Sequence, residues 1–193
     1  MRLAYRTHRL GPLLALETLL AVLGTLLGHT TVQLPSFSGL GAMPLYVLAA
    51  LVGAVVLAFP LNAAWPATRT IVVRRSAVIA AVVLITALAP ALIVGALAAQ
   101  LLPTATGFAY LGVLAWLLAM QLVTGVLVNG TYQAMAPVAY VLLCALLGRA
   151  GGVVHPWAWP LADAPAAALW VGASALAAAL TLFIALGLHR EHG

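Results

Sequence analysis

Apolar residues fall into six long runs, at residues 10–28, 43–61, 77–102, 108–128, 132–147 and 166–188, each bounded by Gly, Pro or polar clusters. A bilayer core of ~30 Å is crossed by about 20 apolar helical residues, so these runs predict membrane-spanning helices. A helix satisfies its own backbone groups, which lipid cannot do. The pattern therefore predicts an all-α fold, a polytopic membrane protein with six transmembrane helices in a single domain over residues 1–193. The fifth run is the shortest. Gly130 and Pro137 near its start predict a tight turn there, with the fourth and fifth runs folding as one close hairpin. Neither the proline positions nor the charge pattern of the first three runs recurs in the last three, so no internal repeat is predicted.

Composition narrows the class. Of 193 residues, 65% are hydrophobic and 6% charged, against about 25% charged in soluble domains. That balance excludes a soluble globule and a disordered chain alike. The basic residues are all arginine, and their placement predicts the orientation. With the N-terminus inside, Arg2, Arg6, Arg9, Arg69, Arg74, Arg75 and Arg190 fall on the inner side and only Arg149 on the outer. Both termini are then cytoplasmic, and the outer connections are residues 29–42, 103–107 and 148–165. The first run continues without a small-residue cleavage site, which predicts a first span rather than a signal peptide. A net charge of +5 would suit nucleic acid in a soluble protein, but these arginines are scattered over connections and form no binding face. The predicted surroundings are a lipid bilayer in a bacterial inner membrane, with no nucleic acid.

Candidate chemistry is sparse. The three acidic residues, Glu17, Asp163 and Glu191, form no pair at helical spacing, and neither H-E-x-x-H nor G-x-S-x-G occurs. The five histidines lie at or beyond the ends of runs, so no haem-holding pair faces inward. Cys144 stands alone in an apolar run. The sequence thus predicts no catalytic residue, no metal site, no cofactor on this chain and no enzyme. Glu17 is the one acid inside a span, about two turns from its cytoplasmic end. Such a residue marks a functional pathway, or else it snorkels or pairs with an arginine such as Arg9 or Arg75. Gln121 and Thr124 are three apart and share a helix face, with Asn129 further on and Gly125 permitting close approach. They read as a hydrogen-bonded seam between helices or as the polar lining of a substrate cleft between two copies. The connection after the second run, with Trp65, Pro66, Arg69, Arg74 and Arg75, has the mixed character of an interfacial segment. It reads as a positive-inside anchor or as a docking element for a cytoplasmic partner. Trp157 and Trp159 in the last outer connection suit the headgroup level.

In plan, the chain resembles the membrane subunit of the type-2 family of ATP-binding-cassette exporters, especially small actinobacterial permeases that work with a separate ATPase. The resemblance covers six runs with both ends inside, the basic N-terminal stretch MRLAYRTHRLG, and the connections NAAWPATRTIVVRRS, VLVNGTYQAMAPVAY and HPWAWPLADAP. It implies a coupling segment for the ATPase at residues 65–75, with Trp65, Arg69, Arg74 and Arg75. It also implies an outer gate at residues 153–165, with His155, Trp157 and Trp159, and a homodimer or heterodimer of membrane subunits. Glu17, Gln121, Thr124 and Asn129 would then line the substrate pathway. No G-x-x-x-x-G-K-[ST] occurs, so ATP and Mg would sit on the partner ATPase. The chain departs from the family in carrying no acid between Glu17 and Asp163. Two other readings stand beside this one: a six-span substrate-capture subunit of a vitamin or metal importer, and a non-transport membrane scaffold or immunity protein.

Overall fold

The computed structural model describes residues 10–36, 39–63, 73–101, 106–128, 132–150, 153–162 and 165–189. The chain is mostly helical. Helices α1 (Leu10–Leu26), α2 (Leu45–Ala63), α3 (Val73–Leu101), α4 (Gly107–Leu127), α5 (Met135–Leu147) and α6 (Pro165–His189) fall on the six apolar runs. Three of them hold stretches long and apolar enough to cross a membrane, Leu84–Leu101, Gly107–Leu127 and Ala166–Phe183. The apolar stretches Gly11–Leu26, Leu45–Phe59 and Met135–Leu147 are shorter. As predicted, α5 begins after a tight turn. Pro137 lies in its first turn, where a missing N–H removes no helical bond.

Hydrogen bonds between helix ends fix the directions. At one end, Thr106, just before α4, donates through its hydroxyl to the carbonyls of Gly24 (2.7 Å) and Thr25 (3.2 Å) near the end of α1. At that same end Tyr46, in the first turn of α2, donates to the Pro160 carbonyl at 2.8 Å. At the other end Gln133, after α4, donates to the Ala58 carbonyl near the end of α2 at 2.5 Å. The six helices therefore alternate in direction, and residues 27–36, 39–44, 106, 148–150 and 153–162 gather at one end.

That gathered end is not all helix, which departs from the all-α expectation. Strands β1 (Thr31–Ser36) and β2 (Gly39–Pro44) form an antiparallel ribbon with Val32 opposite Met43 and Ser36 opposite Gly39. A second, two-residue ribbon pairs β3 (Arg149–Ala150) with β4 (Val153–Val154). It leads into a 3-10 segment, Pro156–Leu161, made of two tight turns that meet at Ala158. Strand alternation is weak in TVQLPS and GLGAMP, where Pro and Gly interrupt the apolar positions, so these read from sequence as plain connections.

Helix α4 is the centre of the bundle. About two thirds of it is buried, and α1, α2, α3, α5 and α6 all pack on it. Its closest neighbour is α6, and two glycines explain why. A Cβ on Gly112 would collide with the Ala168 carbonyl, and one on Gly172 with the Gly112 carbonyl. Small residues let the two backbones touch, which is how helices gain packing energy where lipid supplies no hydrophobic drive.

Candidate functional site

The inward stripe of α1 is Glu17, Leu20, Ala21, Gly24 and Thr25, at helical spacing. Glu17 falls on it and is 1% exposed. It therefore does not snorkel. Its carboxyl lies between α2 and α4. The Tyr110 hydroxyl of α4 donates to Glu17 Oε1 at 2.8 Å. On the α2 side, a Cβ at Gly53 would come within 2.9 Å of Oε2, so only glycine leaves the carboxyl its place. Oε2 is buried without a hydrogen-bond partner among the described residues. The side chains of Arg9 and Arg75, the predicted ion-pair partners, lie outside what the structure describes, and no described ion pair reaches Glu17.

A polar line continues from Glu17 along α2. Residues Tyr110, Leu114, Leu117 and Gln121 of α4 are spaced by four, three and four, which puts them on one face of the helix. Gln121 Nε2 donates to the Ala54 carbonyl at 2.7 Å, and Gln133 Nε2 to the Ala58 carbonyl one turn further along α2. Each carbonyl has a second lone pair beyond its helical bond. Both amide oxygens, Gln121 Oε1 and Gln133 Oε1, are buried without a partner among the described residues. Gln121 thus acts as an interhelical seam. The expected grouping of Gln121 with Thr124 is not kept: Thr124 bonds back to the Met120 carbonyl of its own helix at 2.7 Å and faces a different neighbour. Asn129 lies outside the described residues.

Thr124 instead borders a groove on the flank of the bundle. Trp116, Met120 and Thr124 of α4 form one wall, and Ala175, Ala178 and Leu182 of α6 the other, enclosing about 340 Å³. The groove is apolar, and the alanines of α6 make it.

The gathered end is tied down through carbonyls of the 3-10 segment. Tyr140 of α5 donates to the Trp157 carbonyl at 2.8 Å, Tyr46 to Pro160, and the Arg149 guanidinium to Leu161 at 3.2 Å. The Trp159 ring meets Trp116 edge-on at 5.9 Å, which joins this cap to the upper edge of the groove. Trp157 is exposed and stacks on His155, with ring centroids 6.2 Å apart. The three predicted gate residues are thereby brought together at one end, with Trp159 turned inward and Trp157 outward. Of the predicted coupling residues, Trp65 and Arg69 lie outside the described residues. Arg74 and Arg75 fall in the first turn of α3, with side chains outside the description.

Sequence reasoning did not single out Tyr110, Gly53 or Gln133. A tyrosine in an apolar helix signals a needed partner for its hydroxyl, and that signal is present at Tyr110. Among the described residues no group of three or more His, Cys, Asp or Glu could hold a metal ion. Compared with known protein families, curated proteins and solved structures, the chain matches none.

Proposed function

We propose that the chain is a multi-pass membrane protein with six spans and both termini in the cytoplasm. In this reading it is the permease subunit of an ATP-binding-cassette exporter, driven by a separate ATPase that carries ATP and Mg. Support for the membrane setting comes from the exterior. Phe59, Ile85, Ile93, Leu101, Leu127 and Trp170 are exposed, as suits contact with acyl chains. Charge asymmetry supports the orientation, because seven arginines fall in the termini and connection predicted to be inner and only Arg149 in a predicted outer connection.

The observation that carries the transport reading is the flank groove. The bundle axis around α4 is filled by Leu114, Leu117, Leu118 and Leu122, so a single copy offers no path along its centre. A groove of about 340 Å³ opens sideways instead, between α4 and α6. Two membrane subunits facing each other across such grooves would enclose a pathway between them. Its walls are alanine, leucine, methionine and tryptophan with the Thr124 hydroxyl, a lining for an apolar or amphipathic substrate such as a peptide, lipid or drug. The chain then breaks no bonds itself. Nucleotide binding moves the segment around residues 65–75, and the helix packing switches between two arrangements.

One preparation tests both halves of the reading. The chain purified from its native membrane should retain an ATP-binding-cassette ATPase, and Trp65→Ala should release most of it, since a buried Trp anchor contributes on the order of 2 kcal/mol or more. In the same membranes, Ala178→Cys in a Cys144→Ala background should cross-link copy to copy. Equal ATPase recovery with Trp65→Ala, or no cross-link at residue 178, would contradict the reading.

A further inference from the structure

The flank groove sits at a definite depth. The apolar stretch Gly107–Leu127 of α4 is 21 residues long, ~31 Å of helix, which matches a ~30 Å bilayer core. Trp116 lies nine residues after Gly107 and Thr124 seventeen, about 14 and 26 Å from the capped end. On the other wall Ala175 and Leu182 lie nine and sixteen residues after Ala166, about 14 and 24 Å from that end. Both walls thus run from the bilayer midplane to near the inner border, most of the acyl depth of one leaflet. At the midplane the groove stops. Trp116 is its lining residue on α4 nearest the capped end, and the ring is backed by Tyr140 and Trp159, with centroids 6.1 and 5.9 Å away.

What such a groove holds follows from its walls. Ala119, Met120, Val123 and Ala179 add only hydrocarbon and a thioether. The Trp116 indole nitrogen is buried, so the exposed part of the ring is carbon. The Thr124 hydroxyl is spent on the Met120 carbonyl at 2.7 Å. The exposed hydroxyls beside the groove on α6 are spent likewise, Ser174 on Val171 at 3.0 Å and Thr181 on Ala178 at 2.8 Å. The carbonyls of a peptide laid here would find no donor, and lipid supplies none. A hydrocarbon chain needs none. We infer that the groove takes one acyl chain of an anionic lipid of the inner leaflet, with its methyl end at Trp116 and its headgroup at the inner border. Charge favours that headgroup. Helix α3 packs against α6 and begins at the end opposite the cap, with Arg74 and Arg75 in its first turn, and basic residues at a membrane border attract anionic lipid. The inference rests on the membrane orientation proposed above, and it narrows the substrate class of the exporter reading from peptide, lipid or drug to lipid.

Photo-cross-linking on the full chain in vesicles tests the inference. The probe is a phosphatidylglycerol with a diazirine at the end of one acyl chain, carried in a phosphatidylcholine bilayer. Mapped by mass spectrometry, its labels should concentrate on residues 116–120 and 175–179. Unlabelled phosphatidylglycerol should compete them away, and added phosphatidylcholine should not. Ala178→Trp fills the groove and should cut this labelling about tenfold, the loss expected when some two methylenes are displaced from a fitted site. Ala173→Trp, at an exposed position of α6 outside the groove, should leave it unchanged. Ala178→Leu gives the same readout should Ala178→Trp fail to fold. Labels spread evenly over exposed positions such as Ile93 and Leu97, or undiminished in a folded residue-178 variant, would overturn the acyl site. Equal competition by phosphatidylcholine would overturn the anionic headgroup. The readings beneath are tested separately: groove labels missing while residue 74 is cytoplasmic contradict the lipid site alone, and groove labels kept in a preparation that holds no ATPase contradict the exporter alone.

Discussion

Glu17 and Tyr110 are 93 positions apart, yet the Tyr110 hydroxyl of α4 donates to the Glu17 carboxyl of α1 at 2.8 Å. An acid in an apolar run signals importance by its cost in lipid, so Glu17 was legible in the sequence. Its partner was not, because a tyrosine in an apolar helix signals a need for a hydroxyl partner without saying which one, until α1 and α4 are seen to meet. The pair should be energetically coupled. Tyr110→Phe leaves a buried carboxyl oxygen without its donor and should destabilise the chain by about 1–3 kcal/mol. The same change in a Glu17→Leu background should cost much less. Thermal unfolding of the four proteins in one detergent gives the double-mutant cycle, and additive effects would show that the hydroxyl does not stabilise the carboxyl.

At the scale of elements, the apolar runs specified where each helix lies to within a few residues, because hydropathy over a run of this length outweighs local propensity. The β1–β2 ribbon was not legible. Its pairing depends on register between two short segments with Pro35 and Gly41 among their apolar positions, and hydropathy does not report register. The contact between α4 and α6 was likewise hidden: Gly112 and Gly172 are two of 17 glycines in the chain, and only the fold selects them. Their role can be measured. Gly172→Val forces a branched side chain into the Gly112 carbonyl, and should lower stability by about 3 kcal/mol or more, as overpacking of a backbone contact does. Ala177→Val, on the exposed side of the same helix, should leave unfolding unchanged. A Gly172→Val protein that melts with the wild type would mean that α4 and α6 do not cross at these glycines.

For the whole molecule, alternating helix directions and arginine placement together carry the account of six spans. Helix α5 is where that account is most exposed to test. Its 13 residues make about 20 Å of helix, short of a ~30 Å core. The 3-10 segment pinned by Tyr140, Tyr46 and Arg149 continues the chain at that end, so the cap itself would occupy the outer part of the bilayer. The most direct measurement is sided labelling of single cysteines, Arg74→Cys and Trp157→Cys, each in a Cys144→Ala background and in intact cells. Residue 157 should react with an impermeant reagent from outside, and residue 74 only after the membrane is opened. Labelling of residue 74 in intact cells would contradict the six-span topology and the cytoplasmic coupling segment with it.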